Sequence, residues 1–159
     1  QFHPHSITVT DIDDAKLQEA LDNGATYAIN SLKEDVPARA HELTGGYGPT
    51  LTIDAACVKG SLLTALQATG NAGRVITMGF STRPDEVNQF VITSKELDVR
   101  GSRLQNRKFQ EVIDMINDGK IDLRGSISHT WPMEKAQEAF DFVTSHDPSY
   151  RKGVLTFGK

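Results

Sequence analysis

Short β-forming runs alternate with helix-length amphipathic stretches along the whole chain, and that alternation constrains the fold more than any other feature. Parallel strands cannot be joined by tight turns. Each crossover needs a dozen or more residues, usually a helix that brings the chain back right-handedly onto the same sheet. The pattern therefore predicts an α/β protein with a mainly parallel sheet. The first strand is expected over Ser6 to Thr10, where Ile7 and Val9 stand among threonines; the acidic run D-I-D-D follows, so that Asp13 or Asp14 can cap the next helix. That helix carries Leu17, Ala20 and Leu21 on one face and stops at Gly24. Tyr27 to Ile29 forms a second strand, Lys33 to Thr44 a helix with Pro37 in its first turn, Leu51 to Ala56 a third strand, and Lys59 to Thr69 a helix.

Gly73 to Phe80 barely alternates apolar with polar residues, as expected of a parallel strand buried on both faces. A loop and short helix run from Ser81 to Ser94, and Leu97 to Leu104 supplies another strand. Two amphipathic helices follow. One has Phe109, Val112, Ile113 and Ile116 on its stripe and ends at Gly119; the other starts at Pro132 and presents Met133, Ala136, Ala139, Phe140 and Val143. Gly153 to Phe157 is a final strand. In such sheets ligands bind beyond the carboxyl ends of the strands, which selects Asp11, Ala55 to Cys57, Gly79 to Phe80 and Ser102 to Arg103.

Charge and composition remove several function classes. With 17 Lys and Arg against 21 Asp and Glu, the net charge is −4, and no basic cluster marks a nucleic-acid groove. No apolar run approaches the ~20 residues of a membrane span. QFHPHSI lacks the regions of a secretory signal, and the single Cys57 cannot form an intramolecular disulfide, so a reducing cytoplasmic setting is expected. The five histidines are scattered without a cysteine pair and suggest no metal site. G-G-Y-G at 45–48 lacks the strand-to-helix context and the Lys-Ser/Thr pair of a phosphate loop.

Asp11, directly after the first strand, could accept the ribose hydroxyls of an adenine dinucleotide and would repel a 2'-phosphate, favouring NAD over NADP; it could equally be a turn or capping acid. The G-x-G-x-x-G turn that accompanies such an acid lies about 20 residues upstream in a complete dinucleotide fold, whereas ten residues precede Asp11. Lys152, beside Arg151, could meet a pyrophosphate or simply be an exposed cation at a strand start. Cys57 is read as a small residue at a strand end, because nothing nearby in sequence supplies a histidine base.

Taken in order, T-D-I-D-D-A-K, G-A-T-Y-A-I-N, T-I-D-A-A, G-R-V-I-T-M-G-F, K-E-L-D-V-R-G-S-R, D-G-K-I-D-L, I-S-H-T-W-P-M-E-K-A-Q-E-A-F and K-G-V-L-T-F resemble the zinc-containing medium-chain alcohol and polyol dehydrogenases over nearly the whole chain. The resemblance implies a Rossmann-like sheet lacking its first βα unit, with residues 1–118 as a partial dinucleotide-binding domain and 119–159 as a short C-terminal return to the substrate domain. It places Asp11 on the adenosine ribose, Ile12 beside the adenine and Lys16 near the ribose. Ala55, Ala56 and Cys57 would line the cofactor cleft, Met78, Gly79 and Phe80 would approach the nicotinamide, Ser102 and Arg103 would lie near nicotinamide and substrate, and Lys152 would contact the pyrophosphate.

The same resemblance implies that the glycine fingerprint, the zinc ligands and the proton relay belong to an N-terminal part outside these residues. The expected cofactors are NAD and, with ligands in that part, zinc. Expected partners are an alcohol or sugar-acid substrate, the N-terminal part, and a second copy through the 97–103 strand, with no nucleic acid and no membrane. The expected activity is oxidation of a secondary alcohol in the intact parent, the 159 residues alone being inactive. A non-catalytic nucleotide-binding or dimerisation module is the alternative. A flavodoxin-like domain explains the I-S-H-T-W-P-M-E segment poorly.

Overall fold

The computed structural model describes residues 3–103, 106–123, 125–145 and 147–158. The chain divides into two compact units, residues 2–104 and residues 105–159. The first opens with β1 (Thr8–Asp11), α1 (Asp14–Asp22), β2 (Tyr27–Asn30) and α2 (Val36–Leu43). Asp13 caps α1, accepting from the Ala15 amide at 2.8 Å, and Leu17 is the buried residue of that helix. Asp35 caps α2 in the same way and Pro37 sits in its first turn, where a missing N–H costs nothing. β1 and β2 pair in parallel, with Asp11 opposite Asn30 at their carboxyl ends.

The unit continues with β3 (Leu51–Asp54), α3 (Ser61–Ala68), β4 (Arg74–Thr77), α4 (Gln89–Ser94) and β5 (Asp98–Gly101). These strands form a second parallel sheet in the order β3-β4-β5. β4 is central, and Val75 on it is fully buried, packed with Leu66 and Ala65 of α3 and with Leu97. Together the two sheets give the open, mainly parallel α/β architecture expected from the alternation. The pairs found are those of strands two and three, and of four, five and six, in the Rossmann order 3-2-1-4-5-6. Each strand is four residues long, so β3, β4 and β5 are two to four residues shorter than the β-forming runs, because pairing ends where the chain turns into its loop, whereas β2 gains Asn30.

Polar contacts finish the α3 layer. The Lys95 ammonium donates to the carbonyls of Gln67 at 2.6 Å, Thr69 at 2.8 Å and Leu66 at 3.4 Å, placing a cation at the carboxyl end of α3 where its orphan carbonyls and dipole favour one. Burial lowers the Lys95 pKa. On the sheet, Asp98 accepts from Arg100 Nε at 2.9 Å and Arg74 Nε at 2.7 Å. Hydrogen bonds from Arg100 and then Arg74 hold its carboxyl below the ordinary carboxylate value. A carboxylate shifted this way stabilises the folded state above its unfolded pKa, and the contribution disappears as pH falls through the folded value. Urea midpoints should therefore fall on acidification from about pH 5 to about pH 2, and Asp98→Asn should flatten that slope. An unchanged slope would mean the exposed pair contributes nothing.

The second unit holds α5 (Phe109–Asn117), β6 (His129–Pro132), a 3₁₀ turn (Met133–Lys135), α6 (Ala136–Thr144) and β7 (Gly153–Thr156). β6 and β7 are parallel, bridged by α6. Three sequence expectations are corrected here. The strand β6 was not anticipated, since H-T-W-P is too short to show a period. Pro132 ends that strand and also caps the helical stretch as expected, but the first turn, with Met133, is 3₁₀ and α6 begins at Ala136. Phe140 is exposed at 64%, and Phe142 instead packs at 4.5 Å from His129 and 5.7 Å from Trp131. Ala139 sets the buried face of α6, and Phe142, three residues on, shares it. Phe109, Val112 and Ile113 of α5 are exposed. Leu104, expected at the end of β5, lies outside the described residues.

Candidate functional site

Asp11 closes β1, and its side chain folds back on its own turn: Oδ1 accepts from the amides of Ile12 at 2.7 Å and Asp13 at 3.0 Å. This satisfies two amides ahead of α1 and fixes the carboxylate plane. Among the described residues none donates to Oδ2, so one oxygen of a half-buried carboxylate keeps its acceptor capacity. Beside it Ile12 is 63% exposed, an apolar surface at a strand end with nothing of the fold upon it. Lys16, one turn into α1, is exposed. The helix cap is Asp13, and Asp11 is the acid of the turn before it.

The other candidates gather at the carboxyl ends of β3, β4 and β5. Asp54 is buried; its Oδ1 accepts from the Cys57 amide at 3.2 Å and its Oδ2 from the Ser61 hydroxyl at 3.1 Å, tying the loop after β3 to the start of α3. Cys57 adopts a left-handed backbone with φ of 55°, a conformation that costs about 1–3 kcal/mol and must be held by its surroundings. The Asp54 bond supplies part of that hold. Gly79 supplies the space, since a Cβ there would come within 2.7 Å of Cys57 Sγ. Ala55 and Ala56 are exposed beside it, as are Met78 and Phe80 on the next strand end. Asp54, Cys57, Ser61, Thr77, Gly79 and Arg83 are among the residues lining a cleft of about 340 Å³ between these loops.

Ser102 donates its amide to Thr77 O at 2.9 Å, extending the β4–β5 ladder by one bond. Arg103 then places its guanidinium 4.8 Å from the centre of the Phe80 ring. A cation over an aromatic face gains about 0.5–1 kcal/mol at an exposed site. The contact orders both side chains, and no described carboxylate pairs with Arg103. Thus Ala55–Cys57, Met78–Phe80 and Ser102–Arg103 share one end of one sheet, and Asp11 and Ile12 hold the equivalent end of the neighbouring sheet.

Lys152 belongs to the other unit. Its carbonyl accepts from the Ser128 and His129 amides at 2.9 and 3.3 Å, and its ammonium is exposed before β7. Among the described residues, no group of three or more His, Cys, Asp or Glu side chains is placed to hold a metal ion. No helix there is long and apolar enough to cross a membrane. Two contributors escaped the sequence reading. Asp54 stood in T-I-D-A-A as strand, although a carboxylate ending an apolar run is itself a signal of local bonding. Asn30 stood just beyond the expected strand Tyr27 to Ile29, and the structure makes it the last residue of β2.

An open parallel sheet with a carboxylate after one strand and exposed small and apolar residues after the others defines an α/β protein of the nucleotide-binding kind. Comparison with known proteins makes this specific: residues 4–118 match the zinc-binding dehydrogenase family, and the chain belongs to it. The starvation-sensing protein RspB of Escherichia coli K12 is 35% identical over 158 residues, covering 99% of this chain and 46% of that protein. Sorbitol dehydrogenase of Gallus gallus is 26% identical over 141 residues, covering 86% of this chain and 39% of the other. The crystal structure of the RspB alcohol dehydrogenase of E. coli CFT073, complexed with the cofactor NADH, superposes with a TM-score of 0.84 at 36% identity, over 96% of this chain and 45% of that one. The chain therefore spans less than half the length of these relatives.

Proposed function

We propose that this chain supplies most of the cofactor-binding part of an NAD-dependent dehydrogenase that oxidises a secondary alcohol, a polyol or sugar acid, in a protein completed by an N-terminal half. The observation that carries the reading is the Asp11 carboxylate: one oxygen fixed by its own turn, the other uncommitted, at the carboxyl end of β1 beside exposed Ile12. A ribose diol offers two hydroxyl donors to such an acceptor, and the charge disfavours a 2'-phosphate. The RspB structure of 36% identity holds NADH, which supports the same cofactor.

In this reading Ile12 covers the adenine and Lys16 flanks the ribose. Ala55, Ala56 and Cys57 present a narrow wall to the cofactor, the backbone of Met78, Gly79 and Phe80 serves the carboxamide, and Ser102 and Arg103 face the substrate side. Lys152 neutralises pyrophosphate charge. NAD, when bound, supplies the hydride acceptor. The chain's own residues bind and orient it. In this reading zinc is held by the N-terminal half, and no step is assigned to it. Residues 1–118 act as the dinucleotide domain and 119–159 return to the substrate domain. The 97–103 strand joins two copies, and the protein works in the cytoplasm.

The test is saturable NADH binding, followed by nicotinamide fluorescence, in the protein with its N-terminal half. Saturation together with oxidation of a polyol or sugar acid is the expected result; absence of NADH binding overturns the proposal. Arg103→Ala is expected to raise KM about tenfold for an acidic substrate and much less for a neutral polyol, because a charge-assisted hydrogen bond is worth about 1.5–3 kcal/mol. Equal effects on both substrates would reduce Arg103 to a packing partner of Phe80.

A further inference from the structure

Asn30 ends β2 directly opposite Asp11 in the parallel ladder. It is 6% exposed, one of few polar residues in the interior of this unit. Both of its N–H donors and its oxygen are hydrogen-bonded. Nδ2 donates to the Ile12 carbonyl at 3.2 Å and to Asp14 Oδ1 at 2.7 Å, while Oδ1 accepts from the Leu32 amide at 3.0 Å. Asp14 Oδ2 in turn accepts from the Lys33 ammonium at 2.6 Å. Hydrogen bonds from Lys33 and then Asn30 lower the Asp14 pKa. One buried side chain thus grips both ends of the three-residue step from Ile12 to Asp14, the turn onto which Asp11 folds its carboxylate.

A strand end does not need this arrangement. β1 and β2 are already joined by their ladder, and the Ser31 amide donates to Asp11 O at 3.0 Å. The two donor bonds of the Asn30 side chain add a constraint on the turn, while its oxygen ties the start of the loop after β2. Burying an amide is costly unless every bond is made, so its position here is explained by what it holds. We propose that Asn30 is a positioning residue that sets the direction of the Asp11 carboxylate, and through it the preference for a dinucleotide ribose without a 2'-phosphate. The inference rests on the ribose role of Asp11 and goes beyond it in assigning the selectivity to a residue that does not touch the ligand.

The experiment compares dissociation constants for NADH and NADPH in the protein with its N-terminal half, for the unaltered sequence and for Asp11→Asn, Asn30→Ala, Asn30→Asp and the exchange Asn30→Asp with Asp14→Asn. Asn30→Ala is expected to weaken NADH about tenfold while leaving NADPH nearly unchanged, so the preference, taken as the NADPH dissociation constant divided by that of NADH, falls about tenfold. A role in stability alone would move both ligands equally. Asn30→Asp sets a carboxylate against Asp14 and should lower the ratio further. The exchange restores one donor and one acceptor across the 30–14 contact but leaves the Ile12 carbonyl without its donor, so it should recover part of the preference lost in Asn30→Asp, which guards against reading misfolding as function. A fall for Asp11→Asn with none for Asn30→Ala overturns the positioning role only. No preference in the unaltered protein, or none lost in Asp11→Asn, overturns the ribose role and this inference with it.

Discussion

Gly48→Ala is expected to lower folding stability by about 3 kcal/mol, combining about 1 kcal/mol for a left-handed backbone with about 1–3 kcal/mol for overpacking. Gly48 is buried with φ of +79°, and a Cβ would lie 2.8 Å from Gly70 Cα, Gly70 N and His41 Cε1. Two of those three neighbours are backbone and cannot step aside. The approach is mutual, since a Cβ on Gly70 would meet Tyr47 O and Gly48 O. Gly46 is the internal control: its φ is +89°, yet nothing lies within 4 Å of its Cβ position. Gly46→Ala should therefore cost only the conformational part, about 1 kcal/mol. Urea unfolding of both variants separates the two contributions, and equal losses would mean the close contact relaxes without penalty.

This result bears on how the G-G-Y-G run is understood. A glycine-rich loop invites a phosphate reading, and the sequence argued against one because the flanking strand and helix come in the wrong order. The structure supplies the positive reason for Gly48. The loop lets the end of α2 meet the end of α3, with Gly48 N accepted by Thr44 Oγ1 at 2.8 Å and His41 ring nitrogens 3.1 and 3.3 Å from the carbonyls of Gly46 and Gln67. That junction sets the entry of β3, and β3 ends at Asp54 and the Cys57 turn. Disturbing Gly48 should thus loosen one wall of the candidate cleft along with the fold.

Which features were legible follows from the range of the interaction that made them. Caps are local, so Asp13 and the Pro37 turn could be read from a few neighbours. The parallel strand β4 could be read from the weak alternation of G-R-V-I-T-M-G-F, although only its Val75 is fully buried and the strand covers Arg74–Thr77 alone. Candidate ligand residues could be placed because parallel strands put their carboxyl ends together whatever the loops do. Contacts between distant segments were not legible. The packing of Phe142 instead of Phe140 depends on where His129 and Trp131 lie, and β6 exists only through its pairing with β7. The Phe80–Arg103 contact spans two strands, and the Asn30 grip on the 11–14 turn spans two more. Each requires the register of a neighbour, which periodicity in one segment cannot contain.

Asp11→Asn is expected to weaken NADH binding by about 10- to 100-fold, because one or two charge-assisted hydrogen bonds worth about 1.5–3 kcal/mol are lost. The substitution is chosen for what it keeps. Asparagine Oδ1 can still accept from the Ile12 and Asp13 amides, so the turn and the start of α1 survive. Only the second position changes, from an acceptor to an NH₂ donor that opposes a ribose hydroxyl. Removing the charge also removes the repulsion of a 2'-phosphate, so NADPH binding should stay level or strengthen while NADH falls. The two ligands differ only at that phosphate, and their opposite responses would localise the effect to the ribose end of the cofactor. A parallel loss for both would show that Asp11 serves the fold of the turn, and an unchanged NADH constant would move the adenosine site elsewhere in the protein. A thermal midpoint within about 2 °C of the unaltered protein checks that neither result comes from global unfolding.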